Sequence, residues 1–340
     1  MNRDDRITLR HGAGGRAMRA LIEEVFLEGA EDVPGGIGLR AMDDGAALPM
    51  GEGWLVLTTD SHVVHPRFFP GGDIGRLAIA GTVNDLAMMG ATDGAALTCG
   101  IIVEDGLPRG ELERLHKSMR DCLREAGARL VTGDTKVMGH GEIDGLVINT
   151  AGVAWTRRLV RDCGLRAGDR IIVTGTVGDH GLAVLAARNS LSIEGALRSD
   201  VAPINGLVRL ALAAAGDAVV AMKDPTRGGV ASALHEMAAK SGVGVLLEER
   251  AVPLTDEVRA AAELLGIDPL HVANEGKALI GVAPEAVERV LMALREHPLG
   301  RAAAVIGTAI AEHQGRVVLD TGLGRRLLAE PEGEPLPRIC

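Results

Sequence analysis

Apolar residues recur along the chain at two spacings, and the two alternate. Residues 17–27 (AMRALIEEVFL) set Ala17, Leu21, Ile22, Val25 and Phe26 on one face of a predicted helix. The run WLVLTTD (54–60) is short, β-branched and apolar, ends on polar residues, and predicts a strand with a functional lip. DIGRLAIAGTVNDLAMMG (73–90) has helical length and spacing with Gly90 as its stop, and AALTCGIIV (95–103) follows as a buried strand. RGELERLHKSMRDCLREAG (109–127) carries Leu112, Leu115, Met119, Cys122, Leu123 and Ala126 at three- and four-residue intervals and closes at Gly127. ARLVTGDTK (128–136) and GLVINTAGVAW (145–155) predict two further strands.

Between Trp155 and Asp169 the pattern turns polar and turn-rich, which marks a domain junction. Beyond it RIIVTGTVGDHGLAVLAAR (170–188) predicts strand, glycine turn and helix. Helices follow near 205–215, 230–240, 256–264 and 285–295, with strands near 244–247, 278–282, 303–308 and 316–320. Strands alternating with helices predict a sheet covered by helices in each half, with domains at 1–156 and 157–329. PEGEPLPRIC (331–340) carries three prolines and a glycine, so the segment 330–340 is expected to be an extended, flexible tail with an exposed thiol at Cys340.

Composition narrows the function. At 340 residues with 46% hydrophobic and 24% charged, the chain can bury a core in each half. With no Tyr, three Phe and two Trp, those cores are built from Ala, Val, Leu and Ile. A net charge of −10 without a Lys/Arg stripe argues against nucleic-acid binding. The charged N-terminus and the lack of a long apolar run point to a cytoplasmic protein that does not enter membranes. Cys99, Cys122, Cys163 and Cys340 are too far apart for a zinc or redox pair; the first three read as ordinary thiols, and Cys340 stands out by its place in the tail.

The informative acids lie outside the predicted helical surfaces. Asp44 follows Asp43 in a glycine turn, Asp60 ends a strand, Asp85 follows Asn84, Asp134 lies in TGDTK and Asp224 opens DPTRGG. Scattered carboxylates at strand ends and turns suit a hard cation such as Mg²⁺, which also bridges to phosphates; each alone equally fits a helix cap or a turn. HGAGG (11–15) and DPTRGG (224–229) precede helices, so their amides could face an anion, and Arg227 adds charge. Lys136 and Glu275 sit in loops at strand ends, where sites and salt bridges both occur. His62 and His65, three apart on a strand-like segment, face opposite ways and are read as structural or substrate-lining.

Taken in order, HGAGG, DDGA, TTDSHVV, FFPGGDIGRLA, GTVNDLAMMGA, VTGDTKV, INTAGV, GDHG, SDVAP, KDPTRGG, ANEGK and PLPRIC resemble the hydrogenase maturation factor HypE family of carbamoyl dehydratases from residue 7 to 340. The resemblance implies an α+β fold of the aminoimidazole-ribonucleotide-synthetase (PurM-like) superfamily. Its N-terminal domain forms a β-barrel across a homodimer, and its C-terminal domain is a mixed-sheet α/β unit covering a cleft for ATP and Mg²⁺. It further implies that Asp44, Asp60, Asp85 and Asp224 hold metal and phosphates. Asn84, Gly133, Asp134, Asn149, Thr226, Arg227 and Gly228 join them around the nucleotide. Lys136 and Glu275 form the dehydrating pair, and Cys340 carries the group acted upon. The implied partners are the carbamoyltransferase HypF and the HypC–HypD iron scaffold, and the implied product is a thiocyanate that supplies cyanide to nickel–iron hydrogenases. One departure is Ala13, where many members carry Ser. A small-molecule kinase or synthetase of the same superfamily, or a non-catalytic nucleotide-binding scaffold, fits the same ATP-site motifs.

Overall fold

The computed structural model describes residues 6–12, 14–191, 197–331 and 339–340. In the N-terminal half, helix α1 (Gly15–Leu21) runs on through a wider turn to Phe26, followed by β1 (Ala46–Met50), β2 (Gly53–His62), the short pair β3 (Phe68–Phe69) and β4 (Gly72–Asp73), α2 (Ile74–Met88), β5 (Ala96–Glu104), α3 (Arg109–Ala126), β6 (Arg129–Met138) and β7 (Leu146–Thr156). Five strands form one sheet in the order β1-β2-β7-β5-β6, antiparallel except for the parallel pair β5–β6.

The C-terminal half contains β8 (Arg170–Val173), α4 (Asp179–Arg188), α5 (Asn205–Ala215), β9 (Val219–Lys223), α6 (Gly229–Ser241), β10 (Gly244–Glu248), α7 (Asp256–Leu265), β11 (Leu279–Val282), α8 (Val287–Glu296), β12 (Ala304–Ile310), β13 (Val317–Asp320) and β14 (Arg325–Leu327). Seven of these strands form a mixed sheet in the order β14-β13-β10-β12-β8-β11-β9. The sheet with covering helices expected for each half is observed, on one face only in the N-terminal half, and the C-terminal sheet is mixed as the resemblance implies.

Helix α2 positions the rest. Asp73 caps it by accepting from the Arg76 amide at 2.9 Å, and every residue of the helix is buried except Arg76 and Asp85. A helix whose apolar residues point to all sides has to be covered on nearly every side. One side packs on the N-terminal sheet, where Thr82 Oγ1 lies 2.5 Å from Thr150 Oγ1. Its far end, Ala87 and Met88, belongs to a different core with Ile172, Leu207 and Val290 of the C-terminal half. The halves are therefore joined through α2.

Not every expectation holds. Val25 and Phe26, placed on a helix face that should be buried, are exposed. Strand β9 was not anticipated, because VVAMK follows an alanine-rich helix whose composition masks the change of period at Gly216. The outward face of the N-terminal sheet also lies open: Leu48 and Met50 of β1 and Val153 and Trp155 of β7, which flank β2, are exposed there. Trp155 turns outward while Trp54 packs on the core of this half.

A second tie between the halves is polar. Asn205, at the start of α5, donates from Nδ2 to the carbonyls of Thr92 and Ala126, each at 2.9 Å. Asn205→Ala leaves both buried carbonyls without a donor and is expected to cost about 1–3 kcal/mol. A lowered urea midpoint with an unchanged m-value would show this.

Candidate active site

Period-two alternation on β2 sends Val56, Thr58, Asp60 and His62 toward α2. Thr58 Oγ1 then lies 2.9 Å from Asp85 Oδ2 and 3.0 Å from the Asp44 carbonyl, which ties the carboxylate of α2 to the turn before β1. Asp224 enters from the C-terminal half, directly after β9.

Electrostatics shows that these acids share one field. Burial first, then the charges of Asp224, Asp60 and Asp44, hold the Asp85 carboxyl well above the usual range. Asp224 is pushed up to about 8 by burial and by Asp44 and Asp60, against the pull of Lys223. Burial also raises Asp44, although Lys223 Nζ sits 2.5 Å from its Oδ1. Asp60 goes the other way: burial would raise it, but His62, whose Nε2 is 3.0 Å away, together with Arg227 and the Ser61 amide, brings it below normal.

Glu275 belongs to the same field. It is buried, and burial followed by Asp224, Asp60 and Asp200 raises its carboxyl well above normal, with Arg227 opposing. Its Oε1 has no hydrogen-bond partner among the described residues. The backbone around it is fixed instead. Asp200 accepts from the Glu275 amide at 3.1 Å, the Gly276 amide at 3.3 Å and Lys277 Nζ at 3.0 Å. Asn84 adds a bond from Nδ2 to the Glu275 carbonyl at 3.3 Å and accepts from the Ile204 amide at 2.8 Å. Asn274 links the 178 turn to the 225 turn through the Gly178 amide and the Pro225 carbonyl.

The two glycine turns meet. A Cβ on Gly14 would stand 2.9 Å from Arg227 Cβ, and one on Gly15 would stand 2.3 Å from the Pro331 carbonyl. Gly228 and Gly229 have φ of 78° and 63°, the left-handed turn that starts α6 beside Thr226 and Arg227. Only glycine lets the backbones come this close.

The sheet separates the remaining residues from this cluster. Asp134 pairs across β5 with Gly100, and Gly100 with Asn149, so Asp134, Lys136 and Asn149 share the face turned away from α2. Lys136 and Asp134 lie 3.7 Å apart with side chains 72% exposed, and Gly133 lies on the same exposed edge strand. Asn149 Nδ2 bonds to the Asp60 carbonyl at 3.0 Å and to Ser61 Oγ at 2.9 Å. Among the described residues no three His, Cys, Asp or Glu side chains are set to hold a metal ion by themselves.

Cys340 corrects an expectation. Its thiol was expected in solvent, yet the residue is half-buried against the N-terminal core, and Ile339 is only 1% exposed. The Cys340 main-chain oxygen accepts from the Val63 amide at 3.2 Å. Two apolar surfaces recover the residue cost of ordering this end. The extended form expected for the tail lies, for 332–338, outside the described residues. Lys223, Asp200, Asn274 and His180 lie inside KDPTRGG, SDVAP, ANEGK and GDHG, but nothing in their local pattern singles them out.

Comparison with known proteins matches residues 42–156 to the N-terminal domain of AIR synthase related proteins and 166–320 to their C-terminal domain. Carbamoyl dehydratase HypE of Azotobacter vinelandii is 46% identical over 342 residues, covering 99% of this chain and 98% of the relative. In a crystal structure of a HypE–HypF complex, one chain superposes with a TM-score of 0.85 at 41% identity, covering 92% of this chain and all (100%) of that one. A crystal structure of HypE in complex with ATP gives 0.81 at 41% identity, covering 98% and 100%. Likeness of this degree, running through both domains and along nearly the whole chain, makes this protein a member of the HypE family of carbamoyl dehydratases.

Proposed function

We propose that the chain uses ATP to dehydrate an S-carbamoyl group on Cys340 to a thiocyanate. One observation carries this reading. The end of the chain is docked against Val63, one residue after His62, whose ring touches Asp60, and beside the segment through which Asp200 fixes Glu275. The carrier cysteine and the acidic cluster therefore occupy neighbouring ground.

The residues fit the nucleotide and its metal. Asp44, Asp60, Asp85 and Asp224 offer oxygen donors, Asp44 Oδ2 is buried with no hydrogen-bond partner among the described residues, and the raised carboxyls would be relieved by a nearby cation. Mg²⁺ usually keeps several oxygen ligands from substrate phosphates, and among the described residues no three side chains form a closed ligand set, so phosphate oxygens are expected to complete its shell. When bound it supplies neutralisation of phosphate charge during transfer. The Gly14–Gly15 and Thr226–Gly228 turns approach each other closely, and their amides, with Arg227 as the charged donor, would bind the phosphates.

Hydroxide is a very poor leaving group, so the carbamoyl oxygen is first phosphorylated. The nitrogen loses its two protons and the carbon–oxygen bond breaks, giving R–S–C≡N, ADP and phosphate. Glu275 is the base for those protons: a carboxyl raised by burial is a strong base once ionised, and Arg227 favours the ionised form. Asp200 and Asn84 hold its backbone in place.

Lys136, the other member of the dehydrating pair, lies on the open face of the sheet. We assign it, with Asp134 and Asn149, to a contact between two copies, where the open apolar face is covered and each site is completed by the facing chain. HypF would load Cys340 and the HypC–HypD scaffold would receive the cyanide; cytoplasmic residence follows from that partnership.

With ATP, Mg²⁺, HypF and carbamoyl phosphate, mass spectrometry should find a carbamoyl adduct on Cys340 that loses water only when ATP is present. Glu275→Gln should slow that loss by at least about 100-fold while the adduct accumulates. If Cys340→Ala keeps full ATP turnover under the same conditions, the protein is a kinase for a diffusible substrate. For the assembly, Val153→Lys should convert a dimer to a monomer in sedimentation equilibrium; a dimer that survives the change puts the contact elsewhere.

A further inference from the structure

We propose that His180, held by Ser199, is a positioning residue that latches the docked arm at the Ile339 carbonyl, and that the apolar pocket around Ile339 selects the residue preceding the modified cysteine. This builds on the reading of Cys340 as carrier.

The latch is a directed chain of hydrogen bonds. The Val201 amide donates to Ser199 Oγ at 3.0 Å, Ser199 Oγ lies 2.8 Å from His180 Nδ1, and His180 Nε2 lies 2.9 Å from the Ile339 carbonyl oxygen. A carbonyl can only accept, so Nε2 carries the proton. Ser199 Oγ takes the Val201 proton on a lone pair and gives its own to Nδ1. All partners are satisfied by one neutral tautomer, and burial favours that neutral form. Phe69 fixes the ring plane, edge to face at 5.4 Å between centroids.

The grip comes from both halves of the molecule. His180 opens α4 in the C-terminal half, while the Val63 amide, in the N-terminal half, holds the Cys340 oxygen at 3.2 Å. Successive carbonyls are thus bound whatever their side chains. Selection falls to Ile339, whose side chain packs in one cluster with Leu182, Ala183, Val258, Val272 and Ala273. Gly181 leaves the space: a Cβ there would lie 3.4 Å from Ile339 Cδ1 and 2.3 Å from Val272 Cγ1. Two main-chain hydrogen bonds and one apolar side chain are weak enough to release the arm for loading.

The test is the rate of iodoacetamide labelling of Cys340 in the intact chain, read peptide by peptide, with buried Cys99 and Cys122 as reporters of an intact fold. His180→Ala and Ile339→Ser should each speed labelling of Cys340 several-fold to about tenfold, as expected for losing one net contact. His180→Asn, which keeps a donor, should recover part of the protection. Ile339→Ser trims one side chain from a cluster of the C-terminal half and the buried Cys99 and Cys122 report whether the fold survives, so its result stands even if His180→Ala does not fold. With HypF, carbamoyl phosphate and ATP, loading of Ile339→Ser should be unimpaired while the water-loss step slows. Unchanged labelling in Ile339→Ser overturns the latch, as does equal slowing of loading and water loss. Faster labelling without any ATP-dependent water loss in the unaltered chain upholds the latch and refutes the dehydratase reading.

Discussion

The whole arrangement depends on a helix with no free face. α2 is buried on all sides, and a segment of that kind cannot be stable until both halves close on it. Its two unburied residues, Arg76 and Asp85, mark where the enclosure opens. Arg76 reaches the Val201 carbonyl at 2.8 Å, so it fixes the segment that carries Ser199 and Asp200, while Asp85 looks into the acidic cluster. Folding and site assembly are therefore one event: the contacts that bury α2 also bring Asp44 and Asp60 of one half to Asp224 and Glu275 of the other.

Gathering that much negative charge is unfavourable, and the structure limits the cost with cations at the edge. Lys223 bonds to Asp44 and reaches Glu236 at 3.3 Å. Next to it Lys240 pairs with Asp162 at 2.6 Å and Arg161 with Asp43 at 2.8 Å, which extends the network across the junction between halves. Asp162 is nevertheless pushed up to about 7 by burial, so the network does not fully offset desolvation.

Much of the fold could be read directly, since amphipathic helices such as α3 and the strand and helix alternation of the C-terminal half declare their periods. What could not be read is which side of a strand faces which partner. Asp60 and Asn149 both lie in quoted motifs, but register with β2, β7 and β5 is needed to see that they occupy opposite faces, and that Lys136 goes with Asn149. His180 was invisible for a related reason. GDHG looks like any turn until the end of the chain arrives beside it, and that contact spans 159 positions. Cys340 was placed in solvent by the same local logic, because nothing in PLPRIC indicates that Ile339 has a pocket waiting.

The sparse aromatic content has a spectroscopic consequence. The chain has no Tyr, and both Trp and all three Phe lie before residue 156. Ultraviolet emission therefore arises wholly from the N-terminal half. Trp54, against the core, senses the integrity of the sheet; Trp155, 45% exposed with its Nε1 donating to the Met50 carbonyl at 3.2 Å, senses whatever covers the open face. The C-terminal half is optically dark, so a fluorophore attached there is read without intrinsic emission from its own surroundings.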